Sequence, residues 1–406
     1  MTETADSQPY GGALEVGFVT ETFPPEVNGV AKTLARIIAE MVERGHHIHI
    51  VRPHQGAADT QRYVKVEKTI RVWGIPIPGY SGLRAGWPAL LTLQSYWRRN
   101  RPDVLYVATE GPLGWAAVVV ARHLKIPVIS GFHTNFHSYS DHYRIGMLKG
   151  IIQRYLAKFH NRTAVTLAPT KALCAELESL GFDNVDVLGR GIDLRLFSPR
   201  QRSESLRRSW GIEADDLAVL YVGRLAAEKN IQLAVDAFEA MKMREPRLRF
   251  VFVGDGPIVD ELADGRDDFV MAGVHTGQSL ARHYASADIF LFPSETETFG
   301  NVVLEAMASG LALVAYDYAA VGEVGEHGVN GLFPALSDAE EFIHMSVSLL
   351  ENREKIGRLR SNARESVTDR DWNSVFDRFE RQLFKFNGNS GGNLRLDDRR
   401  VTSAAE

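Results

Sequence analysis

Residues 218–243 read AVLYVGRLAAEKNIQLAVDAFEAMKM, and this stretch decides the fold. An unbroken apolar run, Ala218–Val222, meets Gly223 and a polar turn. A segment with apolar residues three and four apart then runs from Ile231 to Met243. A run without polar alternation is a strand covered on both faces, and the spacing after it is helical. The same unit recurs outward in both directions. Val16–Thr20, Ile48–Val51, Val104–Ala108, Val128–Gly131, Leu167–Pro169, Arg249–Val253, Ile289–Phe292 and Ala312–Ala315 are β-like runs. Val30–Arg44 and Val302–Ser309 are among the helical segments between them. Strands alternating with helices predict parallel sheets and an α/β, doubly wound fold.

The alternation falls into two blocks. It lapses from Asp193 to Pro199 and through a charged stretch to Asp216, which reads as a linker. We therefore expect two Rossmann-like domains, residues 1–195 and 196–369, facing a central cleft. Residues 370–387 predict a last amphipathic helix, and the polar tail 388–406 predicts disorder. The chain has 406 residues, 45% hydrophobic and 24% charged, which supplies two cores and excludes disorder throughout. A net charge of -5 argues against a polycation for nucleic acid. The single cysteine, Cys174, cannot form an internal disulfide and fits a reducing compartment. The opening MTETADSQPYGG has no basic segment followed by an apolar one, and no apolar run approaches ~18 residues. The expectation is a cytosolic protein, with a peripheral place on a membrane left open.

Ligands of such folds bind at the carboxyl ends of strands, so the loops there carry the chemistry. After the first strand, Asn28 and Gly29 enter a helix, where bare N–H groups can approach a phosphate or sugar; a plain β-to-α turn is the alternative. The following GVAKT lacks the Gly-Lys pair of a phosphate-binding loop. In the quoted stretch, Arg224 and Lys229 flank a helix start. Two cations there are unfavourable unless an anion lies between them, and a diphosphate satisfies both at ~1.5–3 kcal/mol per charged hydrogen bond. Solvated surface charge is the alternative. Gly254 and Gly256 open a tight turn of either structural or binding use.

Residues 293–310 read PSETETFGNVVLEAMASG. Glu297 precedes a short helix that Gly310 closes. Glu305 lies inside it, roughly 7 Å further along at 1.5 Å per residue. Two such carboxylates can accept hydrogen bonds from hydroxyls of one long ligand, and the amides near Gly300 and Asn301 can take an anion. The alternative has Glu297 capping the helix and Glu305 satisfied in the core. Histidines follow the fourth strand, His133 nearest its end, then His137 and His142; no metal-ligand spacing occurs, and no metal is expected. Asp369 and Asp371 read as helix caps. From Gly82 to Arg162 eleven cations stand against three acids, with Trp87, Leu90, Leu91 and Trp97 among them. That mixture suits an anionic lipid surface; a solvated basic face is the alternative.

Together these motifs resemble glycosyltransferase family 4, retaining enzymes of the two-domain GT-B fold. The resemblance covers about residues 14–385 and rests on Asn28-Gly29, GRLAAEKN at 223–230, GDGP at 254–257 and Glu297 with Glu305 and Gly310. GFHTNFHSYSDHY at 131–143 is similar to members acting on lipid and glycolipid acceptors, mannosyl- and sulfoquinovosyl-transferases among them. The resemblance implies transfer of a hexose, with GDP-mannose favoured, to a lipid or glycolipid hydroxyl. It implies catalytic roles for Arg224, Lys229, Glu297 and His133. Donor binding would fall to Asn28, Gly29, Gly223, Gly254, Gly273, Val274, Phe299, Gly300, Asn301 and Glu305. No cofactor is implied, and the last helix would cross back onto the N-terminal domain. A UDP-sugar diacylglycerol transferase, a polysaccharide-building transferase, a nucleotide-sugar epimerase or hydrolase and a non-catalytic sugar-nucleotide sensor remain the rival readings. A dinucleotide oxidoreductase is disfavoured, since no strand-linked GxGxxG occurs.

Overall fold

A computed structural model describes residues 12–26, 28–55, 59, 64–76, 84–133, 146–213 and 216–387. The tail 388–406, His137, His142 and Arg144 lie outside the described residues. The chain forms two compact units. One comprises residues 1–130, 162–164 and 379–406, and the other residues 131–161 and 165–378.

The first unit holds β1 (Glu15–Val19), β2 (His47–Pro53), β3 (Lys68–Val72), β4 (Gly74–Pro76), β5 (Arg84–Gly86), β6 (Val104–Val107) and β7 (Val128–Gly131). Neighbours run β3-β2-β1-β6-β7, all parallel, with Val16 opposite both Ile48 and Val104. β4 and β5 make a separate antiparallel ribbon. The direction of winding reverses between β1 and β6. The helix Gly29–Glu43 begins where Asn28 Oδ1 accepts from the Ala31 amide at 2.8 Å, and it buries Ala31, Leu34, Ile37, Ile38 and Met41. Phe379, fully buried, packs on Phe18 and Tyr106 with ring centroids 5.9 and 5.1 Å away. Glu380 pairs with Arg44 at 2.6 Å and His46 at 3.0 Å.

The second unit holds β8 (Val165–Ala168) and β9 (Val185–Val187), a parallel pair. It also holds β10 (Ala218–Val222), β11 (Arg249–Val253), β12 (Phe269–Gly273), β13 (Ile289–Phe292) and β14 (Ala312–Ala315). These five form a parallel sheet in the order β12-β11-β10-β13-β14. The chain winds outward from β10 to β12 and returns beside β10 as β13, so the switch point lies between β10 and β13. Every residue of β10, β13 and β14 is buried, as continuous apolar runs require when helices cover both faces. Below the sheet Asp288 collects Arg207, Arg360 and Arg202 at 2.9, 3.0 and 3.1 Å.

Three findings differ from the sequence reading. Strands β3, β9 and β12 were not foreseen; they are edge strands, only partly buried, and polar residues interrupt β3 and β9, whereas β12 carries an apolar run, Phe269–Gly273, that the sequence reading passed over. The β4–β5 ribbon was not foreseen either. Trp97, expected among membrane-facing residues, is 1% exposed: with Leu93 it forms the inner face of the helix Leu90–Arg99.

Candidate functional site

The loops after β10 and β13 flank the switch point of the second unit. After β10, Ala227–Lys229 make one 3-10 turn, and Asn230 at φ 53° turns the chain into the helix Ile231–Lys242. That turn throws Lys229 toward the loop after β13. Its Nζ donates to Glu297 Oε1 at 2.5 Å and to the Thr296 carbonyl and hydroxyl at 3.3 Å each. Ser294 Oγ donates to the same Glu297 oxygen at 2.9 Å. Lys229 and Glu297 are each 19% exposed, so the pair is sheltered yet reachable. Arg224 behaves otherwise: its side chain is 53% exposed and its Nη1 donates to Glu228 Oε1 at 3.0 Å.

The glycines of the neighbouring turn have a packing reason. A Cβ on Gly254 would lie 1.8 Å from the Gly223 carbonyl oxygen, and one on Gly256 would lie 2.0 Å from that of Leu225. The loop after β11 thus rests backbone on backbone against the loop carrying Arg224 and Lys229. Leu225 N donates to Asp255 O at 2.9 Å, and Gly254 N donates to Gly273 O at 2.9 Å. Gly273 and the exposed Val274 therefore end a three-loop shelf.

The helix Asn301–Ala308 starts from Gly300 at φ 85°, a left-handed conformation that favours glycine. No side chain caps this start and its first turn holds no acid, so its amides retain their pull on an anion. Glu305, the fifth residue, accepts from the Tyr284 hydroxyl at 2.9 Å; burial pushes that phenol's pKa up and keeps it a neutral donor. Phe299 is buried, and its carbonyl accepts from Ala320 N at 2.7 Å. Tyr318 donates to the Glu297 carbonyl at 2.7 Å, its own pKa pushed up to about 12 by burial and by Glu297. Ser294, Glu297, Phe299, Gly300, Tyr316 and Tyr318 line one small pocket.

His133 joins this site through its backbone, whose carbonyl accepts from Thr298 Oγ1 at 3.3 Å. Arg190 Nη2 lies 3.1 Å from its Nδ1. A guanidinium only donates, so Nδ1 accepts and the ring proton sits on Nε2. Burial, then the charge of Arg190, hold the imidazole well below its ordinary pKa, so it is a neutral Nε2–H donor.

Asn28 and Gly29 belong to the first unit. Asn28 spends its side chain on the helix cap and on Thr22 Oγ1, to which its Nδ2 donates at 2.7 Å. Between them and β1 stands Glu21, at the switch point of the first sheet. Its carboxylate accepts from Leu113 N at 2.8 Å at the start of the helix Pro112–His123. Burial pushes its pKa up to about 7. A depression of about 340 Å³ lined by Glu15, His47, His49 and Arg101 lies at the amino ends of β1 and β2, the wrong end of the sheet for a ligand of this fold. Among the described residues no group of three or more His, Cys, Asp or Glu is placed to hold a metal ion. Sequence reasoning missed Glu21, Arg190, Tyr284 and Tyr318, which lie in loops or elements distant in sequence.

Two Rossmann-like parallel sheets, one with a cation–carboxylate pair at its switch point, have the architecture of GT-B glycosyltransferases. The model of Glycosyltransferase Family 4 matches residues 27–196, and that of Glycosyl transferases group 1 matches residues 216–352. A GDP-mannose-dependent alpha-mannosyltransferase of Corynebacterium glutamicum is 31% identical over 366 residues, 89% of this chain and 86% of that protein. Sulfoquinovosyl transferase SQD2 of Arabidopsis thaliana is 27% identical, over 88% of this chain and 71% of that protein. Anabaena Alr3699/HepE in complex with UDP superposes with a TM-score of 0.75 at 21% identity, over 92% of this chain and 100% of that one. The chain belongs to glycosyltransferase family 4, and it is an enzyme of the hexosyltransferase kind.

Proposed function

We propose that the protein transfers mannose from GDP-mannose to a hydroxyl of a lipid or glycolipid acceptor, retaining the α configuration and using no metal. The placement of Lys229 on Glu297 at the switch point, beside an uncapped helix start, carries this reading. The donor is the one named for the Corynebacterium relative. A UDP-sugar donor is the second reading, supported by the sulfoquinovosyl relative.

In the reaction the bond from the sugar C1 to the diphosphate oxygen breaks and a bond from C1 to the acceptor oxygen forms. The acceptor proton passes to the departing phosphate oxygen. Negative charge grows on that diphosphate, and Lys229 with the amides at Gly300 and Asn301 stabilises it where it grows. Gly223 and Gly254 let backbone approach the phosphates. Glu297 holds sugar hydroxyls, Glu305 the ribose, and Gly273 with Val274 meets the base. Neutral His133 donates a hydrogen bond from its Nε2–H to the transferred sugar. Arg224 exchanges Glu228 for phosphate when the donor arrives.

The test is a transfer screen of GDP-mannose and UDP-sugars against diacylglycerol, glycolipid and soluble acceptors. GDP-mannose with a lipid acceptor is expected to give product, with no consumption of donor when acceptor is omitted. Lys229→Ala is expected to lower kcat by about 10²–10³-fold, as loss of one charge-stabilising group does. Arg224→Ala should follow. Wild-type rates in both variants would overturn the assignment; donor consumption without acceptor would favour a hydrolase.

Among the described residues no helix is long and apolar enough to cross a membrane. We place the enzyme in the cytoplasm, peripheral on the anionic inner face of the cytoplasmic membrane, where a lipid acceptor resides.

A further inference from the structure

We propose that the outer face of the β4–β5 ribbon, with the start of the helix Leu90–Arg99, is the surface that seats the protein on an anionic bilayer. This rests on the membrane reading above and names its contact face. The ribbon is built inside out. Residues alternate across a strand, and the pairs Gly74–Gly86 and Ile75–Ala85 set which residues share a side. Gly74 and Gly86 face inward, where a Cβ would come 2.8 Å from Pro53 Cβ and 2.7 Å from Leu113 Cβ. The small residues are therefore the packed ones. Trp73, Ile75 and Trp87 take the opposite side. Trp73 is 65% and Trp87 50% exposed, their rings 5.4 Å apart and joined by a Trp87 N to Trp73 O bond of 2.7 Å. Leu90 and Leu91 continue the apolar surface, Leu91 at 82% exposure.

A water-facing ribbon would carry its glycines outward and its tryptophans inward; a patch like this marks an interaction site. The charge around it says with what. Residues 64–76 and 84–101 carry seven cations and one acid, Glu67, within a chain of net charge -5; Arg71 is paired with Asp59, and Arg84 and Arg101 bond backbone carbonyls, which leaves four cations for a partner. Lys65, Lys68, Arg98 and Arg99 are exposed. An overall negative protein meets an anionic surface only through a local basic face, so this face also sets the orientation. Indole rings settle at the boundary of headgroup and acyl chain, and cations meet the headgroup phosphates. One bilayer surface supplies partners for both sets.

The test is sedimentation of the full chain with vesicles of phosphatidylglycerol and phosphatidylcholine, free of acceptor. The wild type is expected to partition onto them at low salt and to release as salt rises. Trp73→Ser with Trp87→Ser, and separately Arg98→Ser with Arg99→Ser, are expected to lower partition at least tenfold. Turnover with a short-chain, water-soluble acceptor should be unchanged in both, which also shows that they fold. Variants that partition like the wild type, or that lose soluble turnover in step with partition, would overturn this face and leave the membrane reading standing. Equal binding to pure phosphatidylcholine overturns the anionic assignment. Absence of wild-type binding removes the membrane reading and this surface together, while leaving the transfer reaction to its own assay.

Discussion

Glu21 shows how one residue's setting becomes a measurable property. Its carboxyl is buried at a helix start, with Glu110 also raising its pKa, and the folded value of about 7 lies above the unfolded 4.5. Between these values the folded state holds a proton that the unfolded state has lost. Stability contributed by this group therefore falls as pH rises from about 4.5 to 7 and is level above, with a slope of at most about 1.4 kcal/mol per pH unit. Glu21→Gln is expected to remove that slope in urea unfolding measured from pH 5 to 8. An identical slope in both proteins would count against the assignment. Neither Glu21 nor Arg190 was legible beforehand: an acid after a strand and an arginine in an aperiodic stretch carry no spacing signal. Lys229 and Glu297 were legible because each follows an unmistakable buried strand. Their direct pairing, 68 positions apart, was not.

At the scale of elements, the donor-side shelf depends on loops leaning on one another. The turn after β11 has no side chain between itself and the turn after β10. Gly256→Ala pushes a methyl group against the Leu225 backbone, which cannot yield as a side-chain tip can. We expect a loss of about 1–3 kcal/mol in thermal unfolding and a raised KM for the donor, because the turn holding Arg224 and Lys229 must move. Unchanged melting and unchanged KM would show that the contact is dispensable. Element boundaries were largely readable: the expected runs at 218–222, 249–253, 289–292 and 312–315 are the observed β10, β11, β13 and β14. The edge strands β3 and β9 escaped because half-burial admits Lys68, Arg71 and Asp186 into the apolar run that betrays a central strand, while β12, FVMAG, kept such a run and was legible.

For the whole molecule, each sheet reverses its winding once, and that reversal gathers residues remote in the chain. The second unit pins the root of its sheet with the Asp288 cluster. Arg207 is fully buried there and donates to Asp288 at 2.9 Å. Asp288→Asn keeps the shape but removes the carboxylate the three guanidinium groups share, leaving, among the described residues, Arg360 without one and Arg202 and Arg207 with Glu204 alone. A loss of about 3–5 kcal/mol is expected in calorimetric unfolding, as for any buried pair stripped of one partner. A variant melting within a degree of the wild type would show that the cluster contributes nothing.

The chain's own order of residues determined the α/β class, the positions of the central strands and the loops that bear Arg224, Lys229, Glu297 and Glu305. These follow from local periodicity and from glycine at turns, which act within a few residues. Only the tertiary structure decided which of those groups meet, that Trp97 turns inward, that His133 is a neutral Nε2–H donor held by Arg190, and that the β4–β5 ribbon shows its tryptophans to the outside. The reason is physical: pairing, burial and facing depend on what packs from elsewhere in the chain. A glycine–tryptophan alternation reads the same whichever face is covered, until a proline and a leucine close against the glycines.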